Sequence, residues 1–160
     1  MTQKDSKLIV VTGGWGFIGS RFVKAVLENT SYNVKVIDKL TYAGKRVRVY
    51  NHIDPKYQMR LQELRKDISD VSFADVAEAE YIVNFAAESH VDNSIKDGKP
   101  FIKSNIEGVF NLLERAKKIE GLKKFVQVST DEVYGDMYDL RGRQYADETF
   151  KLRPSSYYSA

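Results

Sequence analysis

The sequence contains no cysteine. That absence excludes disulfides and thiolate metal centres and agrees with a reducing compartment, and no metal-binding residues are singled out. Long hydrophobic runs are missing too, and every apolar stretch is far too short to cross a bilayer. Met1 to Lys7 is polar and charged, with no apolar segment or small-residue cleavage site behind it, so a secretory signal is not expected and the cytoplasm is the expected location. Charge of one sign is scarce: 25 basic against 22 acidic residues leave only +3. The lysines and arginines are scattered rather than gathered into a stripe with interleaved aromatics, which argues against a nucleic-acid partner, as the short apolar runs argue against a membrane. A mild positive field suits an anionic nucleotide ligand. Proline is rare, with three residues, and no low-complexity linker or internal repeat divides the chain.

What is present reads as one domain, residues 1–160, long enough to bury roughly two thirds of its unfolded surface. Lys7 to Thr12 predicts a buried strand, and the glycine-rich turn after it leads into a helix from Phe17 to Glu28 with Phe22, Val23, Val26 and Leu27 on its apolar side. Asn33 to Asp38 predicts a second strand, parallel to the first through a right-handed crossover. Lys56 to Lys66 reads equally as a helix or as a weakly alternating strand carrying Leu61 and Leu64. Tyr81 to Ala87 predicts a third or fourth strand, and Lys124 to Ser129 a further buried one. Between them Lys99 to Ile119 predicts a long helix, with Ile102, Ile106, Val109, Phe110, Leu113 and Ala116 at helical spacing and Phe101, Leu112 and Ile119 off that stripe. Apolar residues on more than one face predict burial on two sides. The alternation of strands and helices predicts an α/β fold, a doubly wound parallel sheet of the Rossmann kind.

Gly13-Gly14-Trp15-Gly16-Phe17-Ile18-Gly19 parses as G-x-x-G-x-x-G from Gly13 or as G-x-G-x-x-G from Gly14. Either way, glycines allow the tight turn, the approach of backbone to a pyrophosphate and close helix–strand packing, and the helix N-terminus meets the anion. A strand precedes, a helix follows, and Asp38 closes the second strand about twenty residues on, as a dinucleotide fingerprint requires. Asp38 is placed to bind the adenosine ribose hydroxyls, and its charge repels a 2′-phosphate, which favours NAD over NADP. Trp15 must aim its indole away from the pyrophosphate or obstruct it. At the end of the last strand, Thr130-Asp131-Glu132 sets a hydroxyl, an acid and a base where open α/β sheets bind ligands. His90 and the tyrosines 134, 138, 145 and 157 read as structural or surface residues.

With these pieces located, VTGGWGFIGS (Val11 to Ser20), DKLTYAG (Asp38 to Gly44), DI (Asp67-Ile68), FAAESHVDNSI (Phe85 to Ile95), FIKSNIEG (Phe101 to Gly108), VSTDEVYG (Val128 to Gly135) and PSSYYSA (Pro154 to Ala160) carry a resemblance. The chain resembles the amino-terminal half of the dTDP-glucose 4,6-dehydratase family, the nucleotide-sugar branch of the extended short-chain dehydrogenases/reductases. The resemblance implies an NAD site made by Gly13, Gly16, Phe17, Ile18, Gly19, Asp38, Lys39, Leu40, Thr41, Asp67, Ile68, Phe85, Ala86, Ala87, Glu88, Ser89, Ser104 and Tyr158. It implies that Ser89, Thr130, Asp131 and Glu132 face the glucosyl ring. Thr130 and Tyr158 would belong to a hydroxyl, tyrosine, lysine set with Tyr158 as base toward the C4 hydroxyl, and Asp131 and Glu132 would be the acid and base for losing water across C5 and C6. It further implies a nucleotide-sugar substrate, dTDP-glucose foremost with UDP- and GDP-glucose open, and a homodimer through the Lys99–Ile119 helix. The family lysine four residues after Tyr158 would lie beyond Ala160, so the 160-residue chain alone is expected to be inactive. A 4-epimerase or reductase on the same scaffold, and a noncatalytic NAD-binding module, remain as alternatives.

Overall fold

The computed structural model describes residues 7–135 and 146–159. Five parallel strands form one sheet in the order β3-β2-β1-β4-β5. At its centre lies β1, Leu8–Thr12, an unbroken apolar run because both of its faces are covered. Leu8 and Val10 point into one core, and Ile9 and Val11 into the other. Helix α1, Phe17–Asn29, covers the second face with Val23, Val26 and Leu27 before β2, Asn33–Asp38, pairs with β1. Thr30 ends α1 by returning its N–H and hydroxyl to the Val26 carbonyl, at 3.0 and 2.7 Å. The guanidinium of Arg60 gathers the carbonyls of Leu27, Thr30 and Tyr32.

The ambiguous segment resolves as both a helical turn and a strand. Val47–Tyr50 forms a short α2, and α3, Pro55–Gln58, starts with Asp54 accepting the Lys56 N–H at 2.9 Å and proline in the first turn. The strand β3 is Leu61–Arg65, whose Leu61 and Leu64 reach opposite cores. A single 3₁₀ turn, Ile68–Asp70, and α4, Phe73–Val76, lead to β4, Tyr81–Asn84, three residues shorter than the apolar run suggests. On α4 the Asp75 carboxylate closes a capping box with Ser72 and takes the Lys66 ammonium at 2.7 Å. Burial alone would raise the Asp75 pKa, but the Lys66 ammonium and the Ser72 N–H and hydroxyl outweigh it and hold it at about 2.

After α5, Val91–Lys96, the long helix departs from expectation. It comprises α6, Lys99–Phe101, a π-helical stretch, Ile102–Gly108, and α7, Val109–Ala116, where it ends. Phe101, Leu112, Ala116 and the following Ile119 are its buried apolar side chains, while Ile102, Ile106, Phe110 and Leu113 are 43–65% exposed. Of the predicted stripe, therefore, Ala116 alone among these faces the sheet. Finally β5, Lys124–Gln127, stands at the edge of the sheet among the described residues and is largely exposed there, where its Val and Phe content suggests a buried strand. No helix among the described residues is long and apolar enough to cross a membrane.

Candidate functional site

The carboxyl ends of β1, β2, β3 and β4 open onto a crevice walled by residues from all four strand ends and the loops that follow them. Gly13 begins its floor. It has φ of +66°, and a Cβ there would lie 2.6 Å from the Ala86 nitrogen and 2.7 Å from the Phe85 carbonyl carbon. Only glycine lets the turn pass beneath the loop after β4. Gly19 on α1 is likewise closed against the Gly13 carbonyl oxygen. The amino end of α1 has Gly16 as its cap and no acidic residue in its first turn, so nothing there competes with an anionic ligand for the free N–H groups. Trp15 leaves the crevice: its indole is 1% exposed in the core, stacked on Tyr50 at 5.6 Å.

Asp38 ends β2 with both carboxylate oxygens aimed by backbone. The Trp15 N–H donates to Oδ2 at 3.0 Å and the Leu40 N–H to Oδ1 at 2.8 Å. Leu40 reaches this position in the left-handed region, φ 57°, a conformation rare for a bulky residue and found where function fixes the chain. Beside Asp38, the Lys39 ammonium lies 3.0 Å from Glu88 Oε1 and 3.7 Å from Asp67 Oδ2, and donates to Ser104 Oγ at 3.1 Å. Burial pushes the Asp67 pKa up, but the Ser69 N–H and hydroxyl with the Lys39 and Lys103 ammonium groups carry it below its ordinary value.

The loop after β4 forms the opposite wall and is held from two sides. Asn105, in the π-helical stretch, accepts the Glu88 N–H at 2.9 Å and donates to the Glu88 carbonyl at 3.0 Å. Below the loop, a polar ladder crosses three strands in register: the Thr12 hydroxyl donates to Asn84 Oδ1, which also takes the Ala86 N–H at 3.2 Å, and Asn84 Nδ2 donates to Gln127 Oε1 at 2.8 Å. Every member is satisfied, so the ladder fixes the strand ends without an orphaned polar atom.

A second depression adjoins the first and shares Ala86 and Ala87 with it. Ser129, Thr130 and Tyr158 line it. Tyr158 comes from a turn closed by the Ser155 and Ser156 N–H groups on the Ser159 hydroxyl, at 3.1 and 3.0 Å. Thr130 caps the 3₁₀ turn Asp131–Tyr134 by accepting the Glu132 N–H at 3.3 Å, and its hydroxyl lies 3.4 Å from Asp131 Oδ1. Asp131 faces a shallow surface recess with Ser129 and Thr130, and the exposed Glu132 side chain lies outside these lining sets.

The crevice lining thus includes Gly13, Gly16, Asp38, Lys39, Thr41, Asp67, Ile68, Phe85, Ala86, Ala87, Glu88 and Ser104. Leu40 contributes backbone to Asp38 rather than a wall. Phe17 and Ile18 are 73% and 62% exposed and stand outside the lining, so only their backbone belongs to the turn. Ser89 is exposed outside it as well, and Tyr158 belongs to the second depression. Ile37, Ala43, Gly44 and Lys66 line the crevice without having been singled out; Ala43 and Gly44 were within the DKLTYAG block, and Lys66 directly precedes Asp67. His90 stacks on Tyr42 at 6.0 Å and Tyr134 meets Phe150 edge-on at 5.9 Å. Tyr157 is 61% exposed, and Tyr138 and Tyr145 lie outside the described residues.

The family model described as GDP-mannose 4,6 dehydratase matches residues 10–160. A dTDP-glucose 4,6-dehydratase of Mycobacterium tuberculosis is 43% identical over 155 residues, covering 95% of this chain and 44% of its own length. The fold superposes on a dTDP-glucose 4,6-dehydratase of Streptomyces venezuelae solved with NAD bound, with a TM-score of 0.83 at 38% identity over 95% of this chain and 47% of that one. It also superposes on a UDP-N-acetylglucosamine 4-epimerase of Methanobrevibacter ruminantium, with a TM-score of 0.81 at 27% identity, over 96% of this chain and 46% of that one. The chain spans a little under half the length of each of these relatives.

Proposed function

Because the chain belongs to the GDP-mannose 4,6 dehydratase family, we propose that it holds NAD and supplies the acid–base residues of a nucleotide-sugar 4,6-dehydratase, with dTDP-glucose as substrate. The observation that carries this reading is the contiguity of the crevice with the Thr130 and Tyr158 depression through Ala86 and Ala87. The crevice fits the cofactor on its own terms: a glycine floor closed to any Cβ, a helix end without acid, and a ribose carboxylate held by two N–H groups. NAD, held over the Gly13 turn with its ribose at Asp38, would supply the acceptor for a hydride from sugar C4 and the donor for its return at C6.

Tyr158 removes the C4 hydroxyl proton, with the Thr130 hydroxyl orienting that oxygen. Oxidation at C4 acidifies the C5–H bond, which glucose itself does not do. Glu132 then takes the C5 proton while Asp131 protonates the departing C6 oxygen, so water leaves, and as hydride arrives at C6 the Glu132 carboxyl gives its proton back to C5. An epimerase needs the hydride step but no elimination pair, and the adjacent Asp131 and Glu132 therefore favour the dehydratase. The epimerase among the structural relatives supports the second reading. The exposed row Ile102, Ile106, Phe110 and Leu113 supports a homodimer through the long helix, and the need for NAD and a nucleotide sugar supports a cytoplasmic site.

The test is to express the open reading frame that carries this chain and incubate the product with NAD and dTDP-glucose. A 4-keto-6-deoxy sugar is the expected product. A C4 epimer would move the assignment to the second reading, and NAD binding without turnover on dTDP-, UDP- or GDP-glucose would make the protein a binding module.

A further inference from the structure

A lysine next to the ribose carboxylate is an obvious counter-charge for a 2′-phosphate, much as an arginine at this place accommodates NADP in other dinucleotide folds. Lys39 occupies that position, yet its ammonium is turned away from such a role. An ammonium has three donors, and here they face Glu88 Oε1 at 3.0 Å, Ser104 Oγ at 3.1 Å and Asp67 Oδ2 at 3.7 Å. The partners are more enclosed than the lysine: the Glu88 and Asp67 side chains are each 18% exposed and that of Lys39 is 34% exposed. Asn105 fixes the point from which the Glu88 side chain starts, by holding its backbone through both N–H and C=O. Lys66, the other cation of the lining, is engaged by Asp75 at 2.7 Å.

We propose that Glu88 determines cofactor choice, excluding 2′-phosphorylated dinucleotides by sequestering the Lys39 ammonium. The charges of the lining give the same sign. Asp38, Asp67 and Glu88 stand against Lys39 and Lys66, three negative against two positive, so the wall is net negative by one before Asp75 is added. A 2′-phosphate brings a further charge of about −1.5 to −2. It meets Asp38 and a lysine already paired with Glu88 and, at longer range, with Asp67. Glu88 acts through Lys39 and is a positioning residue. The inference rests on the reading of the crevice as a dinucleotide site.

The experiment is titration of the purified chain with NAD and with NADP by calorimetry, for the wild type, Glu88→Gln, Lys39→Met and the Lys39→Met/Glu88→Gln pair. The wild type is expected to prefer NAD. E88Q is expected to narrow the NADP-to-NAD dissociation-constant ratio at least fivefold through tighter NADP binding, and the gain should fade with added salt, since a freed ammonium acts through charge. Adding K39M to E88Q should return the ratio to the wild-type value. A purely structural role for Glu88 would weaken both dinucleotides alike, and that result, or a gain that survives in the double variant, overturns the inference while leaving the dinucleotide site standing. K39M alone is expected to widen the ratio, because Glu88 and Asp67 then face the ribose uncompensated; an unchanged or narrowed ratio overturns the inference even if E88Q does not fold. A wild type that binds neither dinucleotide removes both this inference and the site on which it rests.

Discussion

Gly13→Ala tests whether the turn beneath the crevice is closed to any side chain. The new methyl would sit 2.6–2.7 Å from the Ala86 nitrogen, the Ala86 Cα and the Phe85 carbonyl carbon, all backbone atoms, where ordinary contact begins at 3.4 Å. Turn or loop must therefore retreat by about 0.8 Å, and overpacking of that kind costs about 1–3 kcal/mol. A φ of +66° adds about 1–2 kcal/mol for an L residue. The sum is about 2–5 kcal/mol, which in a domain of this size lowers the melting temperature by roughly 5–15 °C. Circular-dichroism melting measures this, with Gly121→Ala as the control, since nothing lies within 4 Å of a Cβ at that site. Calorimetry on the folded fraction should show NAD binding weakened at least tenfold, because the displaced Phe85–Ala86 wall is part of the crevice. A G13A melting temperature within 1 °C of the wild type would refute the reasoning.

Asp75 gives a pH dependence with a defined sign. Its folded pKa of about 2 lies below the ordinary 3.8, so its contribution is complete above the unfolded value and disappears as pH falls from about 4 through 2. A shift of that size corresponds to at most about 2.4 kcal/mol, and solvent around the pair reduces it to about 1–2 kcal/mol. In urea titrations Asp75→Asn should be less stable than the wild type by that amount at pH 7 and nearly equal to it near pH 2; a gap unchanged between the two conditions would contradict the pairing. Asn105→Ala leaves both polar groups of the Glu88 backbone without their partner and should cost about 1–3 kcal/mol by thermal melting; an effect under 0.5 kcal/mol would mean that the loop after β4 holds itself. Phe110→Lys should change stability by less than about 0.5 kcal/mol and abolish self-association in sedimentation velocity, and association equal to the wild type would remove the helix row from the proposed dimer contact.

Features encoded locally were legible in the sequence. The run into β1, the glycine turn and Asp38 each depend on neighbours a few residues away, so pattern alone places them. Features that depend on the whole sheet were not. The Val and Phe content of β5 resembles that of a central strand, but content does not reveal which strands stand at the edge. The row Ile102, Ile106, Phe110 and Leu113 and the row Phe101, Leu112 and Ile119 both fit 3.6 residues per turn, so spacing alone does not say which one faces the sheet, and the structure buries the second. Lys56 to Lys66 held two short elements where pattern allowed one. In the site, the Thr12, Asn84 and Gln127 ladder spans residues far apart in sequence and leaves no periodic trace, whereas Lys66 could have been found as the neighbour of Asp67. The orientation of Trp15 was a choice of two outcomes that composition could not make and that the packing against Tyr50 decides.

The π-helical stretch also makes the long helix sensitive to chain length in a way that side-chain substitution is not. Each α-helical residue advances the screw by about 100°. Deleting one residue between Ile102 and Gly108 would let that stretch recover the regular pitch with one residue fewer, so the wide turn would close while Leu112 kept its side toward the sheet. Asn105 would at the same time lose its alignment with the backbone of Glu88. The supernumerary residue is thus what allows a single rod to satisfy two clients, one gripping the ligand wall and the other filling the hydrophobic interior.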